Sequence, residues 1–290
     1  MTYCLTASII VYMNRLDKEK QMQVVSALVE GNSIRATVRM TGVAKNTVAK
    51  LLIELGDACS DYLNKTLVNL PCERIQCDEI WSFLGAKQAN VTPKLAERNP
   101  YAGDLWTWVA MDPDTKLVCN YCVGKRDWST AKHFVDGLAA RMANRIQLTT
   151  DGNRLYLFAI NSAFQGDIDY AILMKKYGGT VSETATETRY SPAKCIGCEK
   201  KPKIGNPDPK HISTSLVERQ NLTMRMQMRR YTRLTNAFSK KIENHVASLA
   251  IHYMHYNFVR IHQTLRVTPA MAAGISNHVW ELEDMIALIC

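Results

Sequence analysis

No stretch of the 290-residue chain is apolar for long enough to cross a bilayer, which takes about 20 residues. The one apolar run near the start, "CLTASIIVYM", is short and has no basic lead-in, so it does not read as a secretory signal. Met13 is the preferred start, with residues 1–12 a translated upstream extension. Low-complexity tracts are missing, which sets aside a disordered or fibrous chain. The nine cysteines are odd in number, and Cys77, Cys119 and Cys290 fall inside apolar runs. They read as reduced core residues of an intracellular protein rather than as a disulfide framework.

What is present points to a globular chain with polyanionic partners. Apolar residues make up 47% and charged residues 22%, enough for one large domain and a small one. Basic residues number 36 against 27 acidic ones, a formal charge of +9, with clusters at Lys200–Lys203 and Arg225–Arg233.

Residues 1–16 are an N-terminal extension, and residues 17–60 carry three short helical patterns. "KEKQMQVVSALVE" is the first; "SIRATVRMTG" starts at the capping candidate Ser33 and ends at Gly42; "AKNTVAKLLIELG" stops at Gly56. Two short helices around a glycine, with Ala36, Val43, Val48 and Leu52 for a shared core, fit a helix-turn-helix. In that geometry the N-terminal end of the third helix enters the major groove, and Lys45, Asn46, Thr47 and Lys50 face DNA. A generic three-helix bundle is the alternative.

Residues 61–73 form a linker ending near Pro71, and beyond it the rhythm changes. "RIQCDEIWSFL", "LWTWVAMD" and "KLVCNYCVGK" read as strands, the last two joined by the turn Asp112-Pro113-Asp114. Helix 129–142, strand 145–150, helix 153–164 and strand 168–175 follow. A loop over 178–213 precedes a long helix from about Ser213. The order β-β-β-α-β-α-β-α, a meander followed by αβαβα, is that of the RNase H-like fold: a mixed five-stranded sheet with helices, behind a small all-α domain. This α/β domain covers 74–274, and a C-terminal helix covers 275–290.

Three carboxylates fall at informative places: Asp78 on the first strand, Asp151 at the end of the fourth, and Glu218 in the last helix. Carboxylates from such elements can hold two divalent cations for phosphodiester chemistry. Each has a rival reading. Asp78 could be a strand-edge residue, with Glu79 its competitor on the opposite face. Asp151-Gly152 could be a plain turn. Ser215 through Glu218 fits a capping box.

The segments "CDEIWSF", "TTDGN", "LVERQNLTMRMQMRRYTR" and "YNFVRIHQTLRVTPAMAAGI" resemble the catalytic domain of DDE transposases of prokaryotic insertion sequences, most of all the IS-one family. The resemblance implies that Asp78, Asp151 and Glu218 bind two Mg²⁺ or Mn²⁺ ions. It implies that Arg225, two helical turns after Glu218, reaches a DNA phosphate. It further implies double-stranded DNA (element ends and target) as partner, strand cleavage and transfer by a homodimer or larger assembly, and a cytoplasmic, nucleoid-associated location. A DNA-binding regulator or relic without chemistry and an RNase H-like nuclease are the alternatives. The family's N-terminal zinc finger has no counterpart, since only Cys4 and Cys59 lie in or near that region.

Four weaker signals remain. The pairs Cys119/Cys122 and Cys195/Cys198 have zinc-ligand spacing, but the first sits in a strand, where residues three apart face opposite sides. His252, His255 and His262 read as helix-surface or DNA-facing residues, and Trp128 as a core residue at a helix start, with base stacking second. The basic segment "EKKPKIGNPDPKH" reads as solvated, with DNA or partner contact second.

Overall fold

The computed structural model describes residues 15–178, 195–232 and 235–289. The extension expected over 1–16 therefore lies, through residue 14, outside the described residues, as do the middle of the 178–213 segment and Cys290.

Among the described residues, three helices come first: α1 (Lys18–Val29), α2 (Ile34–Thr41) and α3 (Lys45–Thr66). Asp17 caps α1 by accepting from the Lys20 amide, and Ser33 caps α2 by accepting from the Ala36 amide. Gly42 ends α2 in the left-handed region, at φ 71°, where a side chain would be strained. Val43, Val48 and Leu52 are buried between the helices as expected, while Ala36 is only half-buried.

The sheet follows. Strands β1 (Arg74–Leu84), β2 (Gly103–Met111) and β3 (Val118–Gly124) make the meander, with the short helix α4 (Pro93–Arg98) between the first two. The Asp112 carboxylate builds the β2–β3 turn by accepting from the Asp114 amide at 2.8 Å and the Thr115 hydroxyl at 2.6 Å. Then come α5 (Trp128–Ala139), β4 (Gln147–Thr150), α6 (Arg154–Phe164), β5 (Asp169–Tyr177) and β6 (Cys195–Ile204). Helices α7 (Ser215–Gln227), α8 (Ile242–Met254), α9 (Pro269–Ala272) and α10 (Leu282–Ala287) complete the chain.

Among the described residues the sheet is mixed, six-stranded and ordered β3-β2-β1-β4-β5-β6. β4 pairs parallel with β1 and β5; the other pairs are antiparallel. The expectation of five strands and a loop over 178–213 is thus corrected by β6. Its sequence hides it: Gly197, Pro202 and three lysines are depleted from strand interiors but suit an exposed edge. The helix expected over 275–290 is corrected too, since only Leu282–Ala287 is helical.

Gly56 does not end α3, which runs through it to Thr66 and across the expected boundary at 60/61. A Cβ at Gly56 would lie 2.5 Å from the Ala247 Cα and 2.8 Å from its carbonyl oxygen. The glycine thus marks where α3 crosses α8, not a helix stop. One buried apolar cluster runs without a break from Val24 of α1 through the sheet to Ile286 of α10. After α8 a π-helical turn, His255–Val259, buries Asn257. Its side chain accepts from the Val118 amide at 3.1 Å and donates to the Val118 carbonyl at 3.0 Å, which pins the C-terminal part to β3.

Candidate active site

Asp78 and Asp151 are brought together by the parallel pairing of β1 with β4. Gln76 lies opposite Thr149 in the last pair of that ladder, and Asp151 follows the end of β4 directly, near enough to Asp78 to raise its carboxyl. Asp151 sits just past the end of β4, where the chain turns into α6. The turn reading and the site reading hold at once: Asp151 Oδ1 accepts from the Asn153 amide at 2.9 Å, and Asn153 then caps α6 by accepting from the Leu155 amide at 3.1 Å.

Helix α7 is docked onto β1 by two contacts. Gln76 Oε1 accepts from the amides of Leu216 and Val217, at 3.0 and 3.2 Å, and so satisfies orphan donors at the helix start. One turn in, Asn221 Nδ2 donates to Asp78 Oδ2 at 2.8 Å. Glu218 and Asn221 are three residues apart and share a face of α7. The proposed Ser215–Glu218 capping box is not formed. Thr214 is the N-cap, the Ser215 hydroxyl pairs with Ser213 at 2.9 Å, and the Thr214 hydroxyl donates to Glu218 Oε1 at 2.6 Å. The other Glu218 oxygen accepts from the Lys175 ammonium, which projects from β5.

Glu79 points to the other face of β1, as alternation requires, yet it also feels Asp151. Its side chain is only 2% exposed, against 39% for Asp151. Arg126, in the loop before α5, lies 3.1 Å from Glu79 Oε2 and 3.7 Å from Asp151 Oδ2, and Asn153 Nδ2 donates to Glu79 Oε1 at 3.1 Å. The guanidinium also rests over the Trp106 ring, 5.0 Å from its centroid. Sequence reasoning does not single out Arg126, Asn153, Asn221, Lys175, Gln76 or the paired role of Glu79. Asn221 alone has a signal, its spacing from Glu218.

The electrostatics follow from this crowding. Burial, then Glu79, then Asp151 push the Asp78 carboxyl up from 3.8 to about 7, and Asn221 offsets part of that. Burial, then Asp151, raise Glu79, against the pull of Arg126. Hard oxygen donors held under mutual repulsion fit a divalent cation. Asn221 Oδ1 fits too: it is buried beside Asp78 and accepts no hydrogen bond among the described residues. Glu218 stands apart, tied to Lys175. Among the described residues, no three acidic, histidine or cysteine side chains gather closely enough to hold a metal ion.

The remaining expected residues are dispersed. Lys45, Asn46 and Lys50 are exposed at the start of α3, and Thr47 is half-buried. Arg225 is half-buried, with its Nη1 donating to the Tyr231 carbonyl at 3.0 Å. Trp128 is not a core residue: it is 44% exposed and meets the 66% exposed Phe158 edge-on. His252 is not at the helix surface: it is buried at 5% exposure, and burial lowers its imidazole to about 3. The cysteine pairs lie on β3 and β6, the two opposite edges of the sheet, about 24 Å apart at 4.8 Å per strand. They cannot share one metal.

No family model matches the chain, and no curated protein matches its sequence. Among solved structures, the chain is similar to a piggyBac transposase in a synaptic complex with hairpin DNA. The TM-score is 0.36 and the identity 11%, over 97% of this chain and 74% of that one.

Proposed function

We propose that the chain is a DDE-type transposase with an RNase H-like catalytic domain, related to those of prokaryotic insertion sequences, and that it cuts and joins the DNA ends of its element. The observation that carries this reading is that Asp151, just past the end of β4, raises the Asp78 carboxyl on the neighbouring β1, under a helix that Gln76 and Asn221 dock onto the same strand. Asp78 and Asp151, the Asn221 amide oxygen, and Glu218 once Lys175 releases it would hold two Mg²⁺ or Mn²⁺ ions. Such cations activate the attacking oxygen and stabilise the leaving oxygen.

The chain's own groups do the rest. Arg126 holds Glu79 and Asp151 in place and keeps the buried Glu79 charge compensated. Lys45, Asn46, Thr47 and Lys50 bind the element ends through the major groove, and Arg225 steadies the loop after α7 near the phosphate path. Because two ends are handled together, a homodimer or larger assembly on DNA is expected.

The test is metal-dependent nicking of duplex DNA carrying the element's terminal repeats. The parent should nick at the repeat ends and then join, while Asp78→Asn and Asp151→Asn should bind the same DNA without nicking it. If those variants cut as well as the parent, the site is wrong. One observation favours a second reading, a DNA-binding regulator or relic without catalysis: Glu218 is paired with Lys175 rather than with the other two acids. That reading predicts end-binding by the parent with no nicking in Mg²⁺ or Mn²⁺.

A further inference from the structure

Strand β6 carries two thiols that the proposed chemistry does not use, and an irregularity in its pairing brings them to one face. Tyr177 lies opposite Cys195, Lys176 opposite Gly197 and Lys175 opposite Cys198, so Ile196 is the extra residue of a β-bulge. In a regular strand Cys195 and Cys198 would face opposite sides of the sheet. With one residue taken out of the count, they stand opposite Tyr177 and Lys175, which are two apart and share a face. The Cys195 thiol donates to the Gly197 carbonyl at 3.4 Å, turned along the strand toward Cys198.

Both thiols are exposed, whereas Cys59, Cys72, Cys77 and Cys119 are buried. The Cys198 thiol is raised by desolvation and then by a hydrogen bond with the Cys195 thiol, while Lys175 acts in the other direction. Cys198 stands opposite Lys175 in the ladder, and the Lys175 ammonium pairs with Glu218.

We propose that Cys195 and Cys198 are a redox-active thiol pair, closed to an intrachain disulfide by exchange with a small-molecule disulfide, and that the closed form holds Lys175 on Glu218. In the exchange, the Cys195 thiolate attacks one sulfur of the small disulfide, whose S–S bond breaks and releases one thiol. The Cys198 thiolate then displaces the second small thiol from the mixed disulfide. The chain gives up two protons and two electrons, and the small disulfide is reduced to two thiols.

The mechanical consequence follows from the ladder. Among the described residues β6 pairs with β5 alone, so no second strand described there holds the bulge at Ile196, one step along the ladder from Lys175. A bond between Cys195 and Cys198 staples it and keeps the Lys175 ammonium against the carboxylate. That this matters for DNA chemistry rests on the reading of Glu218 as the third acid; the disulfide itself does not.

The experiment treats the full chain with oxidised glutathione, then maps the disulfide by peptide mass and measures acetylation of Lys175. The expected result is a loss of two hydrogens mapped to Cys195–Cys198, with Lys175 acetylated several-fold more slowly and the rate restored by reductant. Cys195→Ser and Cys198→Ser should show neither change. A stable glutathione adduct that never closes, or a bond between the buried Cys72 and Cys119 instead, overturns the thiol pair. A Cys195–Cys198 bond with Lys175 acetylation unchanged overturns the coupling. DNA nicking, measured in both states, separates the two readings: nicking in neither state refutes the transposase while the mass and labelling results still decide the thiol pair.

Discussion

Replacing Asp78 with asparagine should stabilise the fold at neutral pH while removing its cation site. The folded carboxyl titrates at about 7 against an ordinary 3.8. At roughly 1.36 kcal/mol per unit, the full shift corresponds to about 4 kcal/mol. Asp78 is half-buried, and the solvent that reaches it screens part of this, leaving on the order of 2 kcal/mol. The sign follows from proton binding. Between about pH 4 and pH 7 the folded state holds the proton more tightly than the unfolded chain, so stability falls as pH rises, and the whole penalty is present above about pH 7. The amide introduced by Asp78→Asn carries no charge and keeps an oxygen to accept from Asn221. Urea unfolding at pH 5 and pH 8, without divalent cations, is the assay. The parent should lose stability across that interval relative to the variant, and the variant should be the more stable of the two at pH 8. Adding Mn²⁺ at about 100 times its Kd should then stabilise the parent by about 2.7 kcal/mol and the variant hardly at all. Parallel pH profiles for the two proteins would refute the claim that Asp78 is held under repulsion from Asp151 and Glu79.

Three further outcomes are expected. Arg126→Ala strips Glu79, 2% exposed, of its cation, and should cost about 3 kcal/mol in chemical unfolding at pH 7. Adding Glu79→Gln should recover most of that loss, and no recovery would mean the pair is not what holds Arg126. Gly56→Ala forces a Cβ onto the Ala247 backbone and should destabilise by about 3 kcal/mol or more; an unchanged urea midpoint would move the crossing of α3 and α8 elsewhere. Lys45→Ala and Lys50→Ala, both exposed, should each weaken DNA binding and lower the slope of log affinity against log salt by about 1. An unchanged salt slope would remove the start of α3 from the DNA interface.

The elements that signal themselves locally are legible in the sequence. Ser33 and Gly42 bracket α2 because a hydroxyl cap and a left-handed glycine act within one turn. The strand expected from "RIQCDEIWSFL" is β1 residue for residue. What cannot be read depends on partners far along the chain. Gly56 looks like a stop until Ala247, almost two hundred residues on, is placed against it. β6 lacks strand composition because an edge strand faces water, and only its pairing with β5 reveals it. Ser215 and Glu218 have capping-box spacing, but the helix starts one residue away from where that box needs it, with the Gln76 amide oxygen on the sheet accepting from the Leu216 and Val217 amides.

The acids divide along the same line. Asp78 and Asp151 can be paired on paper because parallel neighbours in a βαβ arrangement align by register, a rule that needs only the order of elements. Glu218 belongs to a helix whose depth and rotation are set by side-chain contacts, with Gln76 at its start and Asn221 one turn on. The Gln76 contact has no sequence signature, and neither does Lys175, which reaches Glu218 from β5; Asn221 shows only its three-residue spacing from Glu218. Alternation alone makes Glu79 and Asp78 exclusive. The sheet shows why that inference is too strong: a carboxylate just past the end of the neighbouring strand is open to both faces, so Asp151 couples to Asp78 on one side and to Glu79 and Arg126 on the other. Opposite faces separate two side chains only while both stay within the sheet. At the C-terminal end of β4 that separation lapses, and there the carboxylates crowd.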